Sequence, residues 1–166
     1  MTSFVRPWAL ATAAVFLGAA APVQAQKAVV LVRHAEKVDE SADPLLSAAG
    51  RARARTLARH LRTAGVGAIY VTQYKRTALT AAPLAAAAGL KTIALPAEAG
   101  QELVDRIRKE NADEVVLVVG HSNSVPDLLR LMGHRDTVTI ASAEYDNLFV
   151  VVPEKKGPPT VLRLRY

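Results

Sequence analysis

The chain has 166 residues, 51% of them hydrophobic and 5% aromatic, with 21 basic against 15 acidic side chains and no cysteine. That length supports one domain with a sizeable core and not two, and the missing cysteine excludes a disulfide framework, thiolate catalysis and lipid attachment at sulfur. The formal net charge of +6 favours anionic partners by long-range attraction. Few aromatics and no recognisable nucleic-acid module turn that preference away from nucleic acid and toward phosphorylated small molecules, phosphoproteins or anionic glycans.

Residues 1–25 read as a unit apart. Arg6 is their one charge, an apolar run from Trp8 to Ala21 follows, and Pro22 closes it before the small-residue pattern Val23-Gln24-Ala25. This is the pattern of a secretory signal peptide cleaved near Ala25-Gln26, leaving residues 26–166 as the mature domain. A retained membrane anchor is the competing reading, but spanning takes about 20 apolar residues, so no stable span is expected after cleavage. The expected location is periplasmic or secreted.

Residues 29–32, Val-Val-Leu-Val, read as a strand buried on both faces that runs straight into Arg33 and His34. A polar loop follows to Pro44, and Ser47 is the expected N-cap of a helix whose core face is Ala54, Leu57, Ala58 and Leu61. The arginines at 51, 53, 55, 59 and 62 read as its solvated side, and Gly65 and Gly67 as its end. A short strand over 68–71 leads through Thr72, Gln73 and Tyr74 into a second helix that begins at Lys75, contains Pro83 and stops at Gly89. Arg76 falls in its first turn, where the helix dipole favours an anion, so it is best explained as facing one.

Residues 91–95 read as a strand, 102–110 as a helix, and 114–119 as a second buried strand that delivers His121. A short helix follows, with Asn123 or Ser124 as its cap, Pro126 in the first turn and Gly133 at its end. Residues 137–140, 148–152 and 160–165 are strand-like, the last two forming a hairpin. Residues 144–147 read equally as the lining of a mouth or as a loop on the sheet edge. The expected fold is a three-layer α/β sandwich, a mostly parallel central sheet flanked by helices. Ligands of such sheets bind at the carboxyl ends of the strands, where His34 and His121 would meet.

Three motifs in order carry a resemblance. Leu31-Val32-Arg33-His34-Ala35-Glu36, then Tyr70-x-Thr72-x-x-x-Arg76-Thr77-Ala78-x-Thr80-Ala81, then Val118-Val119-Gly120-His121-Ser122-Asn123 resemble the histidine phosphatase superfamily, branch 1, with its phosphoglycerate mutase-like fold. The resemblance implies a hydrolase of phosphomonoesters or phosphoramidates in which His34 becomes phosphohistidine, Arg33 and Arg76 hold the phosphoryl oxygens, and His121 donates to the transferring group. It implies neither a metal nor an organic cofactor. Two departures stand out: the usual glycine after the first histidine is Ala35, and no acid follows His121, which leaves Glu98, Glu102 or Glu36 as candidates to protonate the leaving group. Good leaving groups would need no strong acid. A family member that binds a phosphorylated ligand without turning it over is the alternative.

Two further readings come from the residues alone. Gly120-His121-Ser122-Asn123-Ser124 approaches a serine nucleophile elbow, with Ser122 as nucleophile and Asp127, Asp136 and His134 downstream, although Ser124 replaces the last glycine. A metal site from His34, His60, His121 and His134 lacks ligand spacing. Neither substrate nor oligomeric state is readable.

Overall fold

Residues 27–166 are described by a computed structural model; the expected signal peptide lies outside them. Among the described residues no helix is long and apolar enough to cross a membrane. Strands β1 (Val29–Arg33), β2 (Val66–Thr72), β3 (Thr92–Leu95), β4 (Val115–Gly120), β5 (Asn147–Val152) and β6 (Thr160–Arg165) form one sheet in the order β3-β2-β4-β1-β5-β6. The first four are mutually parallel, and the β5–β6 hairpin closes one side antiparallel to β1.

The helices α1 (Ala48–Leu61), α2 (Lys75–Ala88), α3 (Gly100–Glu110) and α4 (Ser124–Leu131) cover both faces. Alternation along β1 explains why all of its residues are apolar up to Arg33. Val30 and Val32 pack with Leu57 and Leu61 of α1 and Leu84 of α2, while Val29 and Leu31 pack with Val104 of α3 and Leu128 of α4. The three-layer sandwich is therefore as expected, and it puts the carboxyl ends of β1, β2 and β4 side by side.

Ser47 caps α1, its hydroxyl accepting from the Gly50 N–H at 3.0 Å. Gly50 is required by close approach: a Cβ there would stand 2.2 Å from the Glu36 carbonyl oxygen. The helix thus presses its first turn against the loop that leaves β1, and the Ser47 N–H donates to the same carbonyl at 2.9 Å.

Two expectations change. Gly67 does not end the helix; α1 stops at Leu61, Gly65 turns the chain with φ +67°, and Gly67 sits inside β2 at a register shift against β4. Residues 137–140 are not a strand. They join no ladder although β6 leaves an edge open, and Ile140 is buried instead against the α3–α4 core.

Candidate active site

β1 and β4 are parallel neighbours with Arg33 opposite Gly120, so the residues that follow leave the sheet together. The His34 N–H donates to the Gly120 carbonyl at 2.9 Å, and the His34 and His121 rings lie 5.3 Å apart at 64°. Both are buried, 5% and 9% exposed.

The protonation of His34 follows from its partner. Nδ1 lies 2.8 Å from the Ala35 carbonyl oxygen, which can only accept, so Nδ1 carries the proton and Nε2 keeps the lone pair. Burial lowers its pKa to about 4, opposed by the Ala35 hydrogen bond and reinforced by the charges of Arg76 and Arg33. Ala35 is itself held: its N–H donates to the Thr80 hydroxyl at 2.9 Å, and that hydroxyl donates to the Arg76 carbonyl at 2.7 Å. The pKa of His121 is likewise lowered to about 4, by burial first and then by His34, Arg76 and Arg33.

Each arginine is braced by a tyrosine. Arg33 lies 4.0 Å from the ring centre of Tyr145, and one of its terminal nitrogens donates to the carbonyls of Ala141, Ser142 and Glu144 at 3.0, 2.9 and 3.1 Å. Arg76, in the first turn of α2, lies 4.2 Å from the ring centre of Tyr74 and reaches the Ala42 carbonyl at 3.4 Å. Tyr145 and Tyr74 also lie 6.1 and 5.5 Å from His34 and His121 respectively. In both guanidinium groups Nε is buried without a partner. A buried unpaired donor costs about 1–3 kcal/mol, more when charged, so the two together make a place suited to an oxyanion.

The candidate acids separate. Burial opposes ionisation of Glu36, but hydrogen bonds and charge from Arg53 outweigh it and hold the carboxyl below its ordinary range. Arg53 is accordingly not a solvated side chain: it clamps Glu36 and also the Tyr166 carbonyl at 2.9 Å. Glu102 lies on the exposed side of α3 with Asp105, Arg106 and Lys109. Glu98 is exposed in the loop after β3, at the carboxyl edge of the sheet, and that loop is tied back by the Ala97 N–H donating to Gln73 Oε1 at 2.8 Å.

Ser122 lacks the strained turn of a nucleophile elbow, since no described non-glycine residue has positive φ, and Asp127 pairs with Arg130. Among the described residues no group of three or more His, Cys, Asp or Glu side chains could hold a metal ion; His60 is exposed on α1, away from the histidine pair. The sequence does not mark Tyr74, Tyr145, Thr72 or Thr80 as site residues. The two threonines fall inside the second motif, whereas nothing local marks Tyr145 beyond its place in a polar, aromatic segment.

Residues 29–99 match the model of the histidine phosphatase superfamily (branch 1). Solved structures share the fold. The protein histidine phosphatase SixA complexed with tungstate aligns at TM-score 0.68 and 17% identity over 83% of this chain and 96% of its own. A mycobacterial glucosyl-3-phosphoglycerate phosphatase aligns at 0.67 and 13% over 84% and 98%. The phosphoserine phosphatase of Entamoeba histolytica, in complex with 3-phosphoglyceric acid, aligns at 0.65 and 13% over 84% and 97%. A search of curated protein sequences finds no significant match. At these identities the structural likeness establishes a phosphoglycerate mutase-like α/β fold. The family match covers residues 29–99, the segment that carries Arg33, His34 and Arg76.

Proposed function

We propose that the chain is a metal-independent phosphomonoester or phosphoramidate hydrolase working through a phosphohistidine on His34. The observation that carries this reading is the 2.8 Å contact of His34 Nδ1 with the Ala35 carbonyl, which leaves Nε2 unprotonated and nucleophilic at neutral pH. Nε2 forms a bond to phosphorus while the bond from phosphorus to the leaving oxygen or nitrogen breaks. The leaving atom keeps the electron pair and takes a proton from Glu98, or from water where it is a good leaving group. A water oxygen then bonds to phosphorus, the electron pair of the P–N bond returns to Nε2, the water loses a proton to solvent, and inorganic phosphate departs. Arg33, Arg76 and His121 stabilise the equatorial oxygens, the main contribution a protein can make to phosphoryl transfer.

The substrate class is a phosphorylated small molecule or phosphoprotein. Residues 1–25 are taken as a signal peptide, so the enzyme meets that substrate in the periplasm or outside the cell; N-terminal sequencing of the exported protein should begin near Gln26. The test of the activity is phosphate release from an aryl phosphate and from phosphohistidine, in chelator, beside His34→Ala. Loss of about 10³-fold or more in the variant, with an acid-labile phosphoenzyme trapped only in wild type, is expected. Tight phosphate binding without turnover in wild type would favour the binding-only alternative, for which the exposure of every candidate acid but the ion-paired Glu36 speaks.

A further inference from the structure

Thr72 ends β2, and its hydroxyl oxygen lies 3.0 Å from His121 Nε2 and 3.0 Å from the hydroxyl oxygen of Thr77. The Thr77 side chain is fully buried. Its hydroxyl lies 2.8 Å from the Tyr74 carbonyl and 3.1 Å from the Thr72 carbonyl, and it accepts from the Thr72 N–H at 3.1 Å. A hydroxyl has one proton to give.

Were Thr77 to give its proton to Thr72, two carbonyl oxygens would face its lone pairs at hydrogen-bond distance with nothing between. Donation to the Tyr74 carbonyl, shared with that of Thr72, removes both conflicts. The Thr77 lone pairs then take the amide and hydroxyl protons of Thr72. That leaves only lone pairs of Thr72 facing His121, so Nε2 must carry the proton.

We propose that Thr72, oriented by Thr77, is a positioning residue that holds His121 as the Nε2–H tautomer and thereby couples phosphoryl binding to uptake of one proton at Nδ1. The coupling rests on the phosphatase reading; the tautomer does not. With Nε2–H spent on Thr72, His121 can donate to a phosphoryl oxygen only from Nδ1, and Nδ1 donates only once protonated. The groups around the ring are Arg33 at the end of β1 and His34 just after it, Arg76 from α2, the Tyr74 ring from the loop before α2, and from α4 the Ser124 hydroxyl, which accepts the His121 backbone N–H at 2.9 Å. None of these is an anion. The phosphoryl group supplies the first negative charge beside the ring, and with it the reason to take a proton.

The experiment is nitrogen-15 NMR of the histidine rings, with isothermal calorimetry of inorganic phosphate in buffers of different ionisation enthalpy at about pH 8, where phosphoryl groups are largely dianionic. Free protein should show His121 protonated at Nε2 and bare at Nδ1, turning to protonation at both on saturation with phosphate. Calorimetry should register uptake of about one proton per site. Thr72→Ser should keep the tautomer and the uptake, whereas Thr72→Val should mix the tautomers and weaken phosphate binding about tenfold, in line with one lost hydrogen bond.

An Nδ1–H signal in free wild type overturns the proposal without any variant, as does Thr72→Val with an unchanged tautomer. Phosphate binding without proton uptake overturns the coupling alone. Failure of phosphate to bind at all brings down the phosphatase reading together with the coupling, while the spectrum of the free protein still decides what Thr72 does.

Discussion

His34 is neutral because it is buried, and its lone pair is on Nε2 because Nδ1 meets a carbonyl; the first is measurable at the ring. Its proton-binding midpoint in the free protein should fall at about 4 instead of near 6.5; an NMR titration with a midpoint near 6.5 would mean that solvent reaches the imidazole. Arg33 depends on a different kind of support. The Tyr145 ring centre lies 4.0 Å from its guanidinium carbon, and a cation–π contact of that kind contributes about 0.5–2 kcal/mol. Tyr145→Ala should therefore raise KM for a phosphomonoester by roughly 2- to 30-fold with a smaller change in kcat, and Tyr145→Phe should restore it. Equal KM in the two variants would remove Tyr145 from the site.

Among the elements, α1 does more than cover the sheet. Its first turn rests on the backbone of Glu36, two residues from His34, and Gly50 is what lets it approach. Alanine there would gain about 1 kcal/mol of helix propensity but meet a carbonyl oxygen at 2.2 Å, and backbone cannot move aside cheaply. Gly50→Ala should destabilise the fold by about 1–3 kcal/mol in denaturant unfolding. An unchanged midpoint would show that the loop after β1 yields freely. The same elements show what could be read in advance. β1 and β4 were legible because burial on both faces leaves an unbroken apolar run, and two such runs in one parallel sheet deliver His34 and His121 together. Residues 137–140 carry the β-branched pattern Thr-Val-Thr-Ile of a strand, yet Ile140 is taken up by the α3–α4 core, a contact made only in the finished fold. The Arg33 contacts to Ala141, Ser142 and Glu144 span more than 100 residues and follow no local rule. Glu36 stands near His34 in the sequence, and only the packing of α1 reveals that Arg53 holds it.

Across the whole molecule, the two buried histidines tie stability to pH. Both are held neutral, with folded values of about 4 against about 6.5 when exposed. Between those values the unfolded chain binds more protons than the folded one, so stability is complete above about pH 6.5 and declines as pH falls toward 4. Thermal unfolding should show this loss, on the order of a few kcal/mol for the coupled pair, and His121→Asn should reduce it. A flat profile across that window would contradict the burial of the pair.

The parallel neighbour of β1 in the sheet is β4, which the ribosome makes some eighty residues later, and the loop that grips Arg33 comes later still. A chain halted at residue 114 already contains His34, both arginines and the Glu36–Arg53 clamp. It has no Gly120 carbonyl for the His34 amide, no second imidazole, and no bed for Arg33. A chain that ends before residue 144 therefore lacks part of the histidine–arginine cluster, and the site can close only after β4, α4 and the loop that follows them have been made.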